Sequence, residues 1–316
     1  MQPVPLVNIV RSGFTESIHL GSVAVTDGDG NLVASVGDTD RIAFARSSMK
    51  PLQAVVSLGF ISDELPEEEV AVMCASHNGE PVHVAAVASL LSRAGLNVSA
   101  LRCPAAWPLD EESARASTEK RAELHNCSGK HAGMLLASVR AGFDTDAYFE
   151  PDHPLQQAVM GAVTQAAGQE PLAIGIDGCG VPVHALPLHA MATIFARLVG
   201  GELPKASVAV SAMRGSPYLV GGRDRVCTAL MEAADVIVKV GAEGLVCAGV
   251  PGKGLGVAIK IEDGNPRALD PAIIHALTLL GVVGDDPALE RFARPPVLGG
   301  GRPVGNLLPV FDLERR

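Results

Sequence analysis

Residues 4–10 form an apolar, strand-like run. Two further runs, Ser17–Val25 and Leu32–Val36, flank Asp27-Gly28-Asp29-Gly30-Asn31, and this turn chemistry predicts a β-hairpin. The turn is acidic but lacks the rest of a twelve-residue calcium loop. A strand-like Arg41–Phe44 leads into a polar block and then into the apolar, helix-like run Leu52–Leu58. Val70–Ala75 reads as a buried strand ending in the polar turn Ser76–Pro81. An amphipathic helix is predicted over 82–94, closed by Gly95, and a charged helix over 111–124. Asn126 leads a helix through Ala141 that stops at Gly142, and another helix covers 154–168. Pro171–Ile176 is a short strand ending in the turn Asp177–Pro182, and helices follow at 186–199, 205–213 and 223–234. Asp235–Gly241, Gly244–Val250 and Leu255–Ile261 are three strands with glycine-rich links, the mark of an antiparallel meander. A last helix spans 270–282, and the Gly/Pro-rich tail after Arg294 reads as irregular.

Strands gather at both ends of the chain and helices between them. That order predicts an α+β fold, an αβα sandwich with a mixed, mostly antiparallel sheet covered by helices, and argues against a doubly wound array. No repeat, low-complexity linker or boundary divides residues 1–316, so a single domain is expected. The chain is 47% hydrophobic but only 3% aromatic, so its core must be aliphatic. Lys+Arg 25 against Asp+Glu 35 gives a net charge of −10, with no basic stripe, which argues against a nucleic-acid partner. No apolar run reaches the roughly eighteen residues of a membrane span, and Met1–Phe14 is unlike a signal peptide. A cytoplasmic protein is therefore expected. Six dispersed cysteines are unlike a secreted disulfide framework, so reduced thiols, some of them metal ligands, are expected.

Candidate chemistry collects where polar groups interrupt apolar runs. Ser47 and Lys50 are three apart, a spacing that puts a hydroxyl and an amine on one helical face. A lysine made neutral there can take the serine proton. Ser76-x-Asn78 and Lys239-x-Gly241 follow in order, which completes the motif types of active-site serine hydrolases of the β-lactamase and penicillin-binding class. Each piece also has a plainer reading: Ser47 as a helix cap, Lys239 as a solvent-facing edge lysine. A second constellation is Cys127, Lys130, His131 and Cys179. Two thiolates with a third ligand from the 127–131 segment could hold Zn²⁺, and spacing alone favours His131, the usual nitrogen ligand. The alternative is two unrelated cysteines acting as small apolar side chains.

Several blocks match one family. Ala45-Arg46-Ser47-x-x-Lys50-Pro51, Met73-Cys74-Ala75-Ser76-His77, Asn126-Cys127-Ser128-Gly129-Lys130-His131, Asp177-Gly178-Cys179, Lys239-Val240-Gly241-Ala242 and Lys260–Asn265 resemble the asparaginase II family, the Rhizobium-type L-asparaginases. The resemblance implies a fold similar to serine β-lactamases and glutaminases, a homodimer, and hydrolysis of L-asparagine to L-aspartate and ammonia. It implies two Ser–Lys pairs, Ser47 with Lys50 and Ser76 with Lys239. It implies a zinc site on Cys127, Lys130 and Cys179, and substrate-binding positions at Arg46, His77, His131 and Asp177, the last two beside the metal. A lysine ligates only when neutral, so a strongly lowered Lys130 pKa is expected. The chain is shorter than the Rhizobium prototype, mainly between Cys179 and Lys239, and has Asn78-Gly79 after the second Ser-His. The rival readings are a glutaminase, a hydrolase driven by zinc-bound water, a β-lactamase-like enzyme, and an amino-acid-binding protein without turnover.

Overall fold

The structure, a computed structural model, describes residues 2–316. They gather into two compact units: one from residues up to Ser48, Leu186–Gly200 and Ala229–Arg316, the other from Met49–Ala185 and Gly201–Thr228. The chain changes unit between Ser48 and Met49, inside the Ser-x-x-Lys motif.

The first unit opens with β1 (Val4–Arg11), β2 (Phe14–Thr26), β3 (Leu32–Val36) and the short β4 (Ile42–Phe44). The β2–β3 hairpin forms as expected: Asp27 accepts from Asn31 N and Asn31 Nδ2, at 2.9 and 3.0 Å, across the turn. The second unit takes over with α1 (Lys50–Gly59), α2 (Glu67–Met73), α3 (Pro81–Arg93), α4 (Glu111–Ala116), α5 (Ser128–Ala141) and α6 (Pro154–Ala167). Helices α5 and α6 both end where expected, at Gly142 and Gly168 in the left-handed conformation that a Cβ disfavours. Strands β5 (Ala173–Ile176) and β6 (Pro182–Pro187) pair antiparallel around the Asp177–Gly180 turn. Helix α7 (Leu188–Gly200) belongs to the first unit, α8 (Ala206–Gly215) and α9 (Pro217–Val220) to the second, and α10 (Val226–Ala233) leads back. There β7 (Ile237–Val240), β8 (Leu245–Val250) and β9 (Leu255–Ile261) form the expected meander. Helices α11 (Leu269–Leu279) and α12 (Glu290–Ala293) and strands β10 (Pro296–Gly299), β11 (Arg302–Pro309) and β12 (Glu314–Arg315) complete the chain.

The sheet of the first unit runs β10-β11-β1-β2-β9-β8-β7, with β3 on β2 and β12 on β3, and its pairings are antiparallel. Helix α7 lies very close to it. A Cβ at Gly256 would fall 1.8 Å from Ala192 O, and one at Gly249 would fall 2.5 Å from Val199 Cγ1. These two glycines let α7 settle on β8 and β9. The result is an α+β molecule with a mostly antiparallel sheet, and its core is aliphatic, as the low aromatic content requires. Among the described residues no helix is long and apolar enough to cross a membrane.

Three expectations are corrected. Val70–Ala75 is not a strand: α2 runs to Met73, with Pro66 at its N-cap and Glu67, Glu68 and Glu69 in its first turn, where acidic charge suits the helix dipole. A short, fully buried apolar run carries no periodicity to separate the two states. The charged helix expected over 111–124 ends at Ala116, and a separate 3₁₀ turn covers Ala122–Leu124. The tail after Arg294 is not irregular: β10 and β11 form a hairpin and β11 pairs with β1.

Candidate active site

The second unit holds a buried amine–hydroxyl pair. Lys50 is the first residue of α1 and is 1% exposed. Its Nζ donates to Ser76 Oγ (2.9 Å), Ala75 O (2.6 Å) and Asn126 O (3.1 Å). Three oxygen acceptors surround Nζ, so the amine is fixed in direction. Ser76 follows α2, is 4% exposed, and its N–H donates to Val220 O at 3.1 Å.

The next residue locks the loop. His77 is fully buried. Gly79 N–H donates to its Nδ1 (3.1 Å), so Nδ1 is the acceptor and Nε2 carries the hydrogen toward Ser128 Oγ (3.0 Å). Ser128 Oγ in turn donates to Glu123 O (2.9 Å). Both ring nitrogens of this expected substrate-binding residue are therefore engaged within the protein. Gly79, with φ +77, makes the turn that brings its amide back to the ring.

Ser128 is also the first residue of α5, which packs on α2 through two glycines. A Cβ at Gly129 would fall 2.1 Å from Val72 O, and one at Gly133 would fall 2.6 Å from Met73 Cγ. The helix that ends near Ser76 is thus tied to the helix that starts at Cys127.

The thiol cluster sits on that start. Cys127 is the N-cap of α5, and Cys179 lies in the β5–β6 turn. Both are buried, and their sulfurs share a hydrogen bond. Lys130 Nζ, also buried, donates to Cys179 Sγ at 3.1 Å. The hydrogen bond from Cys127 pulls the Cys179 thiol far below its ordinary range, against burial, and the Lys130 charge adds to the effect. The same hydrogen bond and burial push Cys127 well up. Cys127 Sγ also donates to Asn126 Oδ1 at 3.4 Å. Burial opposes a charge on Lys130, but the Cys179 and Cys127 sulfurs outweigh it and its pKa is raised. The expected lowering is not what the protein's own groups produce. Among the described residues no three His, Cys, Asp or Glu side chains gather as a metal site, so a metal here would depend on Lys130 as well as the two thiols.

His131 Nδ1 is 2.6 Å from Tyr148 OH, and its Nε2 has no hydrogen-bond partner among the described residues. Burial lowers its pKa to about 4, so the ring is neutral. Asp177 folds onto its own turn, accepting from Gly178 N (2.8 Å), and its charge reaches Lys130. Sequence reasoning gave no role to Tyr148, Ser128 or the carbonyl of Asn126. Ser128 stands inside a matched block, whereas Tyr148 carries no motif at all.

The first unit holds the remaining candidates. Ser47 is half-buried in the 3₁₀ turn Arg46–Met49, not yet in a helix, and Arg46 opens that turn at φ 50, a strained value for a side-chain-bearing residue. Lys239 is 1% exposed on β7, so it is not a solvent-facing edge lysine, and its Nζ donates to Val240 O at 3.0 Å. It faces Cys247 across the β7–β8 ladder. Burial pushes the Cys247 thiol up to about 12, while a hydrogen bond with Ser48 and the Lys239 charge oppose that rise. A Cβ at Gly241 would stand 3.3 Å from Ala45 O, so the end of β7 abuts the residue just before the Arg46–Met49 turn.

The model of the L-asparaginase II family matches residues 7–309, and the chain belongs to that family, a class of amidohydrolases. No curated protein matches the chain. Among solved structures, the native form of Mglu is 14% identical with a TM-score of 0.48, over 84% of this chain and 65% of that one. This chain therefore spans just under two thirds of Mglu. A β-lactamase from Mycobacterium bovis is 15% identical with a TM-score of 0.43, over 81% of this chain and 93% of that one.

Proposed function

We propose that the protein is an L-asparaginase, hydrolysing L-asparagine to L-aspartate and ammonia by acyl transfer through serine. The observation that carries this reading is the 2.9 Å contact between Lys50 Nζ and Ser76 Oγ, both buried. In the first half-reaction a serine oxygen bonds the side-chain carboxamide carbon and the carbon–nitrogen bond breaks. The hydroxyl proton, passed through a lysine amine, leaves with the nitrogen as ammonia. In the second, a water oxygen bonds the same carbon, the acyl–serine bond breaks, and a proton returns to the serine oxygen. Lys50 and Ser76 form the proton path in the second unit. The family resemblance pairs Ser47 with Lys50 and Ser76 with Lys239, and this reading takes Ser47 as the attacking serine.

The donor set of Cys127, Lys130 and Cys179 fits Zn²⁺. Two sulfurs and one nitrogen are borderline-soft ligands, and the surroundings of Cys179 lower its thiol pKa. Zinc bound there would supply a fixed positive charge for the α-carboxylate of the substrate. His131 and Asp177 flank that position, and Arg46 completes the substrate-binding residues of this reading. A homodimer in the cytoplasm belongs to the same proposal.

The test is ammonia release from L-asparagine and L-glutamine, with and without added zinc. The reading expects asparagine turnover that Ser47→Ala and Ser76→Ala each abolish while the fold persists. Full activity in both variants would overturn the serine mechanism, and asparagine-dependent stabilisation without ammonia would make the protein a binding protein.

A further inference from the structure

His131 is next to Lys130, buried, and of the residue type that most often ligates zinc. Yet its nitrogens are committed in a particular way, and the residue that commits them is Tyr148, which is fully buried. The Tyr148 hydroxyl has one hydrogen to give. It already accepts from Arg102 N–H at 2.9 Å, a backbone group that can only donate. Its other neighbour is His131 Nδ1, at 2.6 Å. Both sides of the Tyr148 hydroxyl are satisfied only if the phenol hydrogen goes to Nδ1. The opposite arrangement, Nδ1–H donating to the phenol, would leave the phenol hydrogen without an acceptor in a buried place, a costly state. With Nδ1 as acceptor, the single hydrogen of the neutral ring sits on Nε2. That nitrogen has no hydrogen-bond partner among the described residues.

We propose that Tyr148 is a positioning residue beside the Cys127–Lys130–Cys179 cluster: it fixes His131, the neighbour of Lys130, in the Nε2–H form. The ring is thereby withheld from ligation, because neither nitrogen has a free lone pair. The nitrogen left to join the two sulfurs is Lys130. This arrangement gives a physical reason why the adjacent lysine, and not the histidine, serves the cluster. The direction of support runs from Arg102 N–H to Tyr148 OH to His131, three groups in one unit. Outer hydrogen bonds of this kind orient ligands and typically change metal affinity 10–100-fold when removed.

The half of the inference that concerns zinc rests on the proposed metal role, whereas the tautomer does not. Ring ¹⁵N chemical shifts and couplings of ¹⁵N-histidine-labelled protein read the tautomer directly. The expected result is an Nε2–H His131 in the wild type, and a change of tautomer or a mixture in Tyr148→Phe, whose ring fills the same space without the hydroxyl. Titration with zinc alone should show a 10–100-fold weaker site in Tyr148→Phe, and the cobalt-substituted variant should show altered sulfur-to-metal charge-transfer bands. A wild-type His131 with hydrogen on Nδ1 overturns the inference without any variant. So does a Tyr148→Phe protein whose tautomer is unchanged. A wild type that binds no zinc removes the metal reading and leaves the tautomer to decide the rest. Retained circular dichroism in Tyr148→Phe separates positioning from general unfolding.

Discussion

His77 Nε2 donates to Ser128 Oγ at 3.0 Å, which fastens the residue after Ser76 to the first residue of α5. Ser128→Ala takes this hydrogen bond from a buried N–H, and the expected loss of stability is about 1–3 kcal/mol by urea unfolding. Ammonia release should fall as well, because the loop that presents Ser76 loses its anchor. A variant as stable and as active as the wild type would show that the contact positions nothing.

Ser76→Ala takes away one of the three acceptors of Lys50 Nζ and leaves Ala75 O and Asn126 O in place. The variant should fold and lose ammonia release by at least about a thousandfold, the scale on which members of a nucleophile–base unit act. Lys50→Met, close in length and uncharged, should lose as much. If Ser76→Ala lost less than about tenfold, Ser76 would be outside the proton path.

Zinc should raise the melting temperature of the wild type in proportion to RT ln(1 + [Zn]/Kd), or about 2.7 kcal/mol at a hundredfold excess over Kd. Cys179→Ala should abolish that gain, and a chelator should reverse it in the wild type. Zinc per chain, measured after dialysis, checks the same point. An unchanged zinc content in Cys179→Ala would place any bound metal elsewhere.

His184 gives a pH-dependent contribution to stability. It is buried on β6, its Nε2 has no partner, and burial lowers its pKa to about 4. In the unfolded chain it titrates near 6.5, so between those values the unfolded state binds the additional proton. This contribution is whole above pH 6.5 and is lost as pH falls toward 4, by no more than about 3 kcal/mol. Urea unfolding at pH 7 and pH 4.5 should show the loss, and His184→Leu should flatten it. An equal slope in both proteins would refute the assignment.

Elements with local signals were legible in the sequence. The Asp27–Asn31 turn, the left-handed stops at Gly142 and Gly168 and the β7–β9 meander each need only neighbouring residues, and each forms where expected. Val70–Met73 was not legible as a helix, because burial on all sides erases the period that separates helix from strand. The β10–β11 hairpin hid behind glycines and prolines, since β11 depends on pairing with β1, some three hundred residues away in sequence. The division into two units left no trace, because the crossing after Ser48 occurs inside a motif and not in a linker.

The candidate site divides in the same way. The residue types of the Ser–Lys motifs and the Cys/Lys/Cys cluster are visible as short blocks. Their partners are not: Lys50 meets Ser76 across 26 positions, and Tyr148 meets His131 across 17. Spacing alone favoured His131 as the nitrogen beside the thiols, and spacing carries no sign of its contact with Tyr148.

The two missing side chains at Gly129 and Gly133 act as a spacer of zero thickness. They set how far the hydroxyl-bearing loop stands from the sulfur-bearing helix start, so the two reactive neighbourhoods cannot drift independently. A single methyl at position 129, which would meet Val72 O at 2.1 Å, should wedge both out of line together. Any lineage of this chain that enlarged that residue would have to rebuild two kinds of chemistry at once.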